Sequence, residues 1–171
     1  MNITFSICDD DGLLGIVNNE LYDAFIGEDW EFDDVKDRII QESNKGHLLF
    51  WGTGCENFWP VIVSDSPISS TDFRSFSGRI RVTNGDLYLI SYTDLTMAAQ
   101  FEDQTLPSNT GGVSRIELEN GLYEIMVRQL VDPSNVEEDV ATLGFELIVR
   151  AIPPVDKEIL NNFDSITWLH A

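Results

Sequence analysis

Along residues 2–8, NITFSIC, apolar and polar positions alternate and put Ile3, Phe5 and Ile7 on one side. A period of two is that of a half-buried strand. DDDG at 9–12 reads as a turn. From Asn18 the spacing becomes helical. Leu21, Tyr22, Phe25 and Ile26 fit a short amphipathic helix capped by Asn18 or Asn19 and ended by Gly27. Val35, Ile39 and Ile40 fit a second helix beginning near Asp33. Beyond His47 the pattern is β: HLLFW and WPVIV are strands around GTGCENF. Two longer stretches, SGRIRVTNGDLYLISY and VSRIELENGLYEIMVRQL, read as hairpins turning at Asn84-Gly85 and Asn120-Gly121. Asn-Gly is the pair a two-residue type I′ turn prefers, since both positions need positive φ.

Those turns fix a register. Val82 faces Leu87 and Ile80 faces Leu89 in the first hairpin. Ile116, Leu118, Tyr123, Ile125 and Val127 share a face in the second, which sets Glu117 opposite Glu124. Directly opposed like charges destabilise a strand pair, and Arg115 on the same face is placed to relieve them. Between the hairpins, DLTMAAQFEDQTLPSNTGG is a long connection with a helical turn at its start. TLGFELIVRAI is a last strand, stopped by Pro153-Pro154, and Ile159, Leu160 and Phe163 fit a short C-terminal helix. The fold class predicted is β-rich α+β: an antiparallel β-sandwich or curled sheet, with one or two short helices near the N-terminus. The 171 residues, 43% apolar and without a repeat or linker, are expected to form one domain spanning 1–171.

Charge changes the picture most. Thirty acids against ten Lys and Arg give a formal charge of −20. Such a field repels nucleic acid and anionic membrane, and attracts basic proteins and divalent cations. No apolar run approaches the 18 residues of a membrane span, and the N-terminus lacks a secretory signal. Cys8 and Cys55 make no disulfide framework and read as inert free thiols. These features together predict a cytoplasmic protein.

The acids crowd most densely in GEDWEFDDVKDR, residues 27–38, around Trp30 and Phe32. Asp33 and Asp34 complement the dipole at a helix start. Glu28, Asp29 and Glu31 have no such reason. The segment is either a solvated junction with buried aromatics or an interaction surface. In the second case Glu28, Asp29, Glu31, Asp34 and Asp37 supply charge to a basic partner and Trp30 anchors. Arg74, Arg79 and Arg81 form the one basic cluster, expected to neutralise acids of a packed helix such as 28–37.

Other chemistry is sparse. His47 and His170 are the only histidines, and no nucleophile motif surrounds Cys55 or His47. Calcium is the better metal candidate than zinc: Asp9, Asp10 and Asp11 are adjacent oxygen ligands, with further acids at 28–34 and 137–139, though the EF-hand pattern is absent. Paired carboxylates could also serve acid–base catalysis, but thirty acids make such pairs inevitable.

The order RIRVTNGDLYLISY, IELENGLYEIMVRQLVDP, LGFELIVRAI resembles the strand succession of the DNA-entry nuclease inhibitor (competence protein J) family. The resemblance covers residues 79–152 and is carried by Asn84-Gly85, Leu118, Gly121, Tyr123 and Pro133. It implies a fold and an inhibitory role, and carries over no functional residue. The expected function is therefore an acidic, non-enzymatic protein that inhibits or neutralises a basic partner such as a bacterial nuclease or toxin. A Ca²⁺-binding β-sandwich module and a carboxylate-based enzyme are the alternatives, and the oligomeric state is left open.

Overall fold

In the computed structural model, which describes residues 1–107, 114–136 and 143–169, nine strands form two sheets and two helices lie outside them. The strands are β1 (Asn2–Asp9), β2 (Leu13–Val17), β3 (Leu48–Gly52), β4 (Asn57–Ser64), β5 (Arg74–Val82), β6 (Asp86–Ser91), β7 (Ser114–Glu117), β8 (Gly121–Gln129) and β9 (Phe145–Ile152). The helices are α1 (Phe32–Asn44) and α2 (Tyr92–Gln100). One sheet has the order β1-β4-β9-β8-β5 and the other β3-β2-β6-β7. All pairs are antiparallel except β4 with β9. The fold class is the β-rich α+β arrangement expected from the pattern.

Every strand sends its inward residues into one core between the sheets, including Ile7, Leu14, Trp51, Trp59, Val61, Ile80, Leu87, Ile125, Phe145 and Leu147. The four-stranded sheet is covered on both faces. Its outer side packs Val17, Leu48, Phe50 and Ile90 against Val35 and Ile39 of α1 and Leu95, Ala98 and Ala99 of α2. This explains why β2 and β3 are buried at every position and read as unbroken apolar runs rather than alternating ones. Among the described residues, no helix is long and apolar enough to cross a membrane.

The two Asn-Gly hairpins are not present. β5 pairs with β8, and β6 with β2 and β7. Arg74 faces Gln129, Val82 faces Gly121, Asp86 faces Glu117 and Leu89 faces Ser114. A step forward along one strand is matched by a step back along the other throughout, with no slip between sheets. Residues 74–91 and 114–129 are thus one long antiparallel ribbon, bent where it passes from sheet to sheet. The two Asn-Gly pairs sit side by side at the bend. The Gly85 N–H donates to Asn120 Oδ1 at 2.8 Å, and the Leu118 N–H donates to the Gly85 carbonyl at 3.0 Å. Strands that change sheet need such a corner, and Gly85 takes the left-handed φ of 73° it requires.

The ribbon also corrects the charge pairing. Glu117 lies opposite Asp86, not Glu124. Arg115 binds both, at 3.0 Å to Asp86 and 2.9 Å to Glu117. Glu124 lies between Arg79 and Arg150, and Arg150 bonds to it at 2.5 Å.

Two expected helices are irregular segments. At 21–26 the turn begins as predicted, with Asn18 Oδ1 accepting from the N–H groups of Glu20 and Leu21, both at 3.1 Å. Tertiary partners then take the backbone: Arg38 donates to the carbonyls of Asp23 and Phe25, and the Ile26 N–H donates to the Ala99 carbonyl. At 159–163 the Asn44 carbonyl accepts from Leu160 and Asn161, and the Asn44 side chain bonds both backbone groups of Phe163. Backbone groups held this way cannot also close helical turns.

Gly85→Val should cost about 1–2 kcal/mol, the left-handed penalty for a residue with a Cβ. Asn120→Ala, which removes the acceptor of the same N–H, should cost about 1 kcal/mol. Urea unfolding checks both through the midpoint at constant slope.

Candidate partner-binding surface

The acidic segment forms the lead into α1. Its helix buries Val35, Ile39, Glu42 and Ser43 on one stripe, so the opposite face carries the acids outward. Glu28, Asp29, Glu31, Asp33, Asp34 and Asp37 are all exposed. Asp34 acts within the segment itself, where its Oδ2 accepts from the Glu31 N–H at 2.9 Å and caps the helix. Lys36 reaches Asp33 at 3.5 Å. Among the described residues, no ion pair takes up Glu28, Asp29, Glu31 or Asp37.

The aromatic residues divide. Trp30 is half-buried against the core beneath the helices, and its Nε1 donates to Gln100 Oε1 at 3.4 Å. Phe25 and Phe32 point outward, 40% and 41% exposed. The Ile26 and Gly27 N–H groups both donate to the Ala99 carbonyl, at 2.8 and 3.0 Å. The segment is thereby fixed to the end of α2, and the turn that follows α2 adds the exposed Glu102 and Asp103. Those two acids, far from the segment in sequence, are brought toward it only through the tertiary contact at Ala99, and no local pattern could have found them. Beside it, Lys36, Ile40, Asp164, Ile166, Trp168 and Leu169 line an open cleft of about 440 Å³.

The calcium candidates do not converge. Asp9 is 1% exposed and its carboxylate is fully used inside the protein. Oδ1 accepts from the N–H groups of Asp11, Gly12 and Leu13 at 3.3, 2.7 and 2.9 Å. Oδ2 accepts from Thr53 Oγ1 at 2.6 Å and Trp59 Nε1 at 3.0 Å. Asp10 and Asp11 face outward, where Asp11 accepts from Thr93 Oγ1 at 3.1 Å. Among the described residues, no group of three or more His, Cys, Asp or Glu side chains is placed to hold a metal ion. The acids at 137–139, and His170, lie outside the described residues.

The thiols are not primed as nucleophiles. A hydrogen bond to Asp10 raises the Cys8 thiol above its ordinary pKa, and burial raises that of Cys55. His47 bonds through Nδ1 to the buried Glu42 at 2.6 Å, the inward end of the α1 stripe. Asp65 and Asp132 are held below the usual carboxylate range, by the N-terminal amine and by Ser134 respectively. That is the opposite of what a general acid needs.

The arginine cluster is not paired with residues 28–37, which lie across the four-stranded sheet. Arg74 donates through Nε to Gln129 Oε1 at 2.7 Å and stacks 4.3 Å from the Trp168 ring. Arg81 donates to the Lys157 carbonyl. The backbone of Arg79 is bound at both its N–H and its carbonyl by Asn161.

Neither a family model nor a curated protein sequence matches the chain. Two solved structures share its fold. ComJ, inhibitor of the DNA degrading activity of NucA, from Bacillus subtilis, is 8% identical, covers 88% of this chain and 96% of its own, and gives a TM-score of 0.54. A crocagin biosynthesis protein, the product of gene J, is 12% identical, covers 86% of this chain and 94% of its own, and gives a TM-score of 0.52. The likeness seen in the strand succession at 79–152 thus extends well beyond that stretch, to most of the chain.

Asp9→Ala removes the shared acceptor of five donors, stranding the buried Trp59 Nε1 and Leu13 N–H among them, and should destabilise the fold by about 3 kcal/mol or more, read by urea unfolding. Because both thiol pKa values are raised, less thiolate exists at pH 8 than in free cysteine. Timed alkylation with mass detection should therefore find Cys8, though exposed, slower than glutathione, with the gap closing as pH rises.

Proposed function

We propose that the chain is an acidic, non-enzymatic inhibitor that binds a basic protein partner, a DNA-degrading nuclease or a toxin of similar charge, in the cytoplasm and as one unit spanning residues 1–171. The observation that carries this reading is the shared fold with an inhibitor of DNA degradation over 88% of the chain. The outward acids at the start of α1 support it. A nuclease cleft is built to attract phosphates, and a rigid row of carboxylates competes for the same cations.

In this reading Glu28, Asp29, Glu31 and Asp37 face the partner's basic groups. Asp34 holds the helix start in place, and Trp30 fixes the segment to α2 from beneath. Phe32, exposed among the acids, supplies the apolar contact that charge alone lacks. The cleft beside Lys36 offers a recess for a partner side chain.

The test begins with capture from a lysate of the source organism, elution with rising salt, and identification by mass spectrometry. The captured protein is then purified and its DNA degradation timed with and without the chain. The expected result is a basic nuclease at near-equal amounts whose activity the chain suppresses. Glu28→Lys with Asp29→Lys, both outside the helix and its cap, should slow association by about tenfold or more, with the melting temperature unchanged. Unaltered association in that double variant would remove the acidic segment from the interface. Absence of any suppressed nuclease would remove the inhibitor reading itself.

A further inference from the structure

The two sheets have four lateral edges, and they are not treated alike. The β5 edge is closed by Asn161, which accepts from the Arg79 N–H and donates to the Arg79 carbonyl, both at 2.8 Å. The Arg81 N–H on the same edge donates to the Gly46 carbonyl at 2.8 Å. The β3 edge is closed by Thr167, whose carbonyl accepts from the Gly52 N–H at 2.8 Å. Among the described residues the β7 edge spans four residues, Ser114–Glu117. β1 runs for eight residues, and among the described residues nothing bonds to its backbone on the side away from β4.

Natural sheets protect such an edge with Lys, Pro, a bulge or a short strand. β1 has none of these. Asn2 to Cys8 carry no charged side chain and no Pro, and the pairing runs from Asn2–Ser64 to Asp9–Asn57 without interruption. The core behind it is also incomplete. Ile3 and Phe5 point inward yet stay half-exposed, whereas Val61 and Val63 on the neighbouring strand are fully buried. A further strand laid along β1 would satisfy its free backbone groups and cover both side chains.

We propose that the free edge of β1 accepts an extended segment of a basic partner protein as an added strand of the five-stranded sheet. The charge around the edge selects this occupant. The exposed Asp10 and Asp11 stand at one end of β1 and join no ion pair among the described residues, whereas Asp65 at the other end is already paired with the Met1 amine at 3.1 Å. A second copy of the chain would bring a like net charge of −20 against those carboxylates. A strand ending in Lys or Arg meets them directly. The inference rests on the edge and the charge, and does not require the partner to be a nuclease or the acidic segment to bind it.

The probe is a ten-residue peptide of alternating Thr and Val ending in two Lys, added to isotope-labelled protein and followed by amide hydrogen exchange. Protection of β1 amides by tenfold or more, with no comparable change at α1, is the expected result. The same peptide with a central Pro keeps the charge but cannot lie as a strand, and a Glu-ended peptide keeps the strand but reverses the charge. Both should bind at least tenfold more weakly. Ser6→Lys and, separately, Thr4→Lys place a cation on the outer face of β1 and should weaken the Lys-ended peptide to the same extent while the melting temperature holds. Equal binding of the Pro peptide, or protection away from β1, would overturn strand addition. Equal binding of the Glu-ended peptide would overturn the basic occupant. Protection that grows with protein concentration without peptide would replace it by a second copy.

Discussion

The antiparallel ladder between residues 74–91 and 114–129 keeps one register through a change of sheet, and both sheets grow outward from it. Bending a two-stranded ribbon turns one of its faces inward along its whole length. Ile80, Val82, Leu87 and Leu89 from one strand and Ile116, Tyr123, Ile125 and Val127 from the other line that inner face. β2 and β3 extend the ribbon on one side of the bend, and β9, β4 and β1 on the other. Asp9 closes the loop-rich end, where its carboxylate ties the β1–β2 turn to Thr53 and Trp59. A buried carboxylate is costly unless its lone pairs are filled, and here five donors fill them.

The sequence pattern told which way side chains face better than which strands pair. The hairpin reading put Val82, Ile80, Leu87 and Leu89 on one apolar face, and all four are in the core. Alternation fixes a residue's face, but any partner in phase satisfies it. Asn-Gly suits a tight turn and also suits a corner, because both need positive φ, so turn chemistry did not separate a hairpin from a bent ribbon. Helix α1 was legible because Val35 and Ile39 lie one turn apart within a sufficient length. The segments at 21–26 and 159–163 had similar spacing, but Arg38, Ala99 and Asn44 claim their backbone groups from other parts of the chain. At the candidate surface the exposed acids could be read directly. The half-burial of Trp30 could not, since it depends on Gln100.

Most of the few cations are occupied locally. Arg38 reaches Asp23, Arg115 reaches Asp86 and Glu117, and Arg150 reaches Glu124. Arg128 binds Asp72 and Glu146, and Glu146 is fully buried. Around that buried pair, the N–H of Ile68 and the carbonyl of Ser69 complete the hydrogen bonding, so the pair also pins the 65–73 loop onto the outer face of the sheet. Breaking either partner would leave a charge without compensation. Among the described residues, the acids left without an ion pair include Glu28, Asp29, Glu31 and Asp37 at the start of α1, Glu102 and Asp103 after α2, and Asp10 and Asp11 after β1.

The strand at the centre of the larger sheet, β9, is the last of the nine in chain order. Until it is made, β4 and β8 each lack a neighbour, and their apolar edges stand open during synthesis. β4 must wait for a partner some 80 residues downstream. Pairings this distant in sequence make for folding on the order of milliseconds to seconds rather than microseconds. Residues 1–35, which precede β3 to β9, carry ten acids and no Lys or Arg. Unfinished chains carrying that charge repel one another through the interval in which their sheets are incomplete.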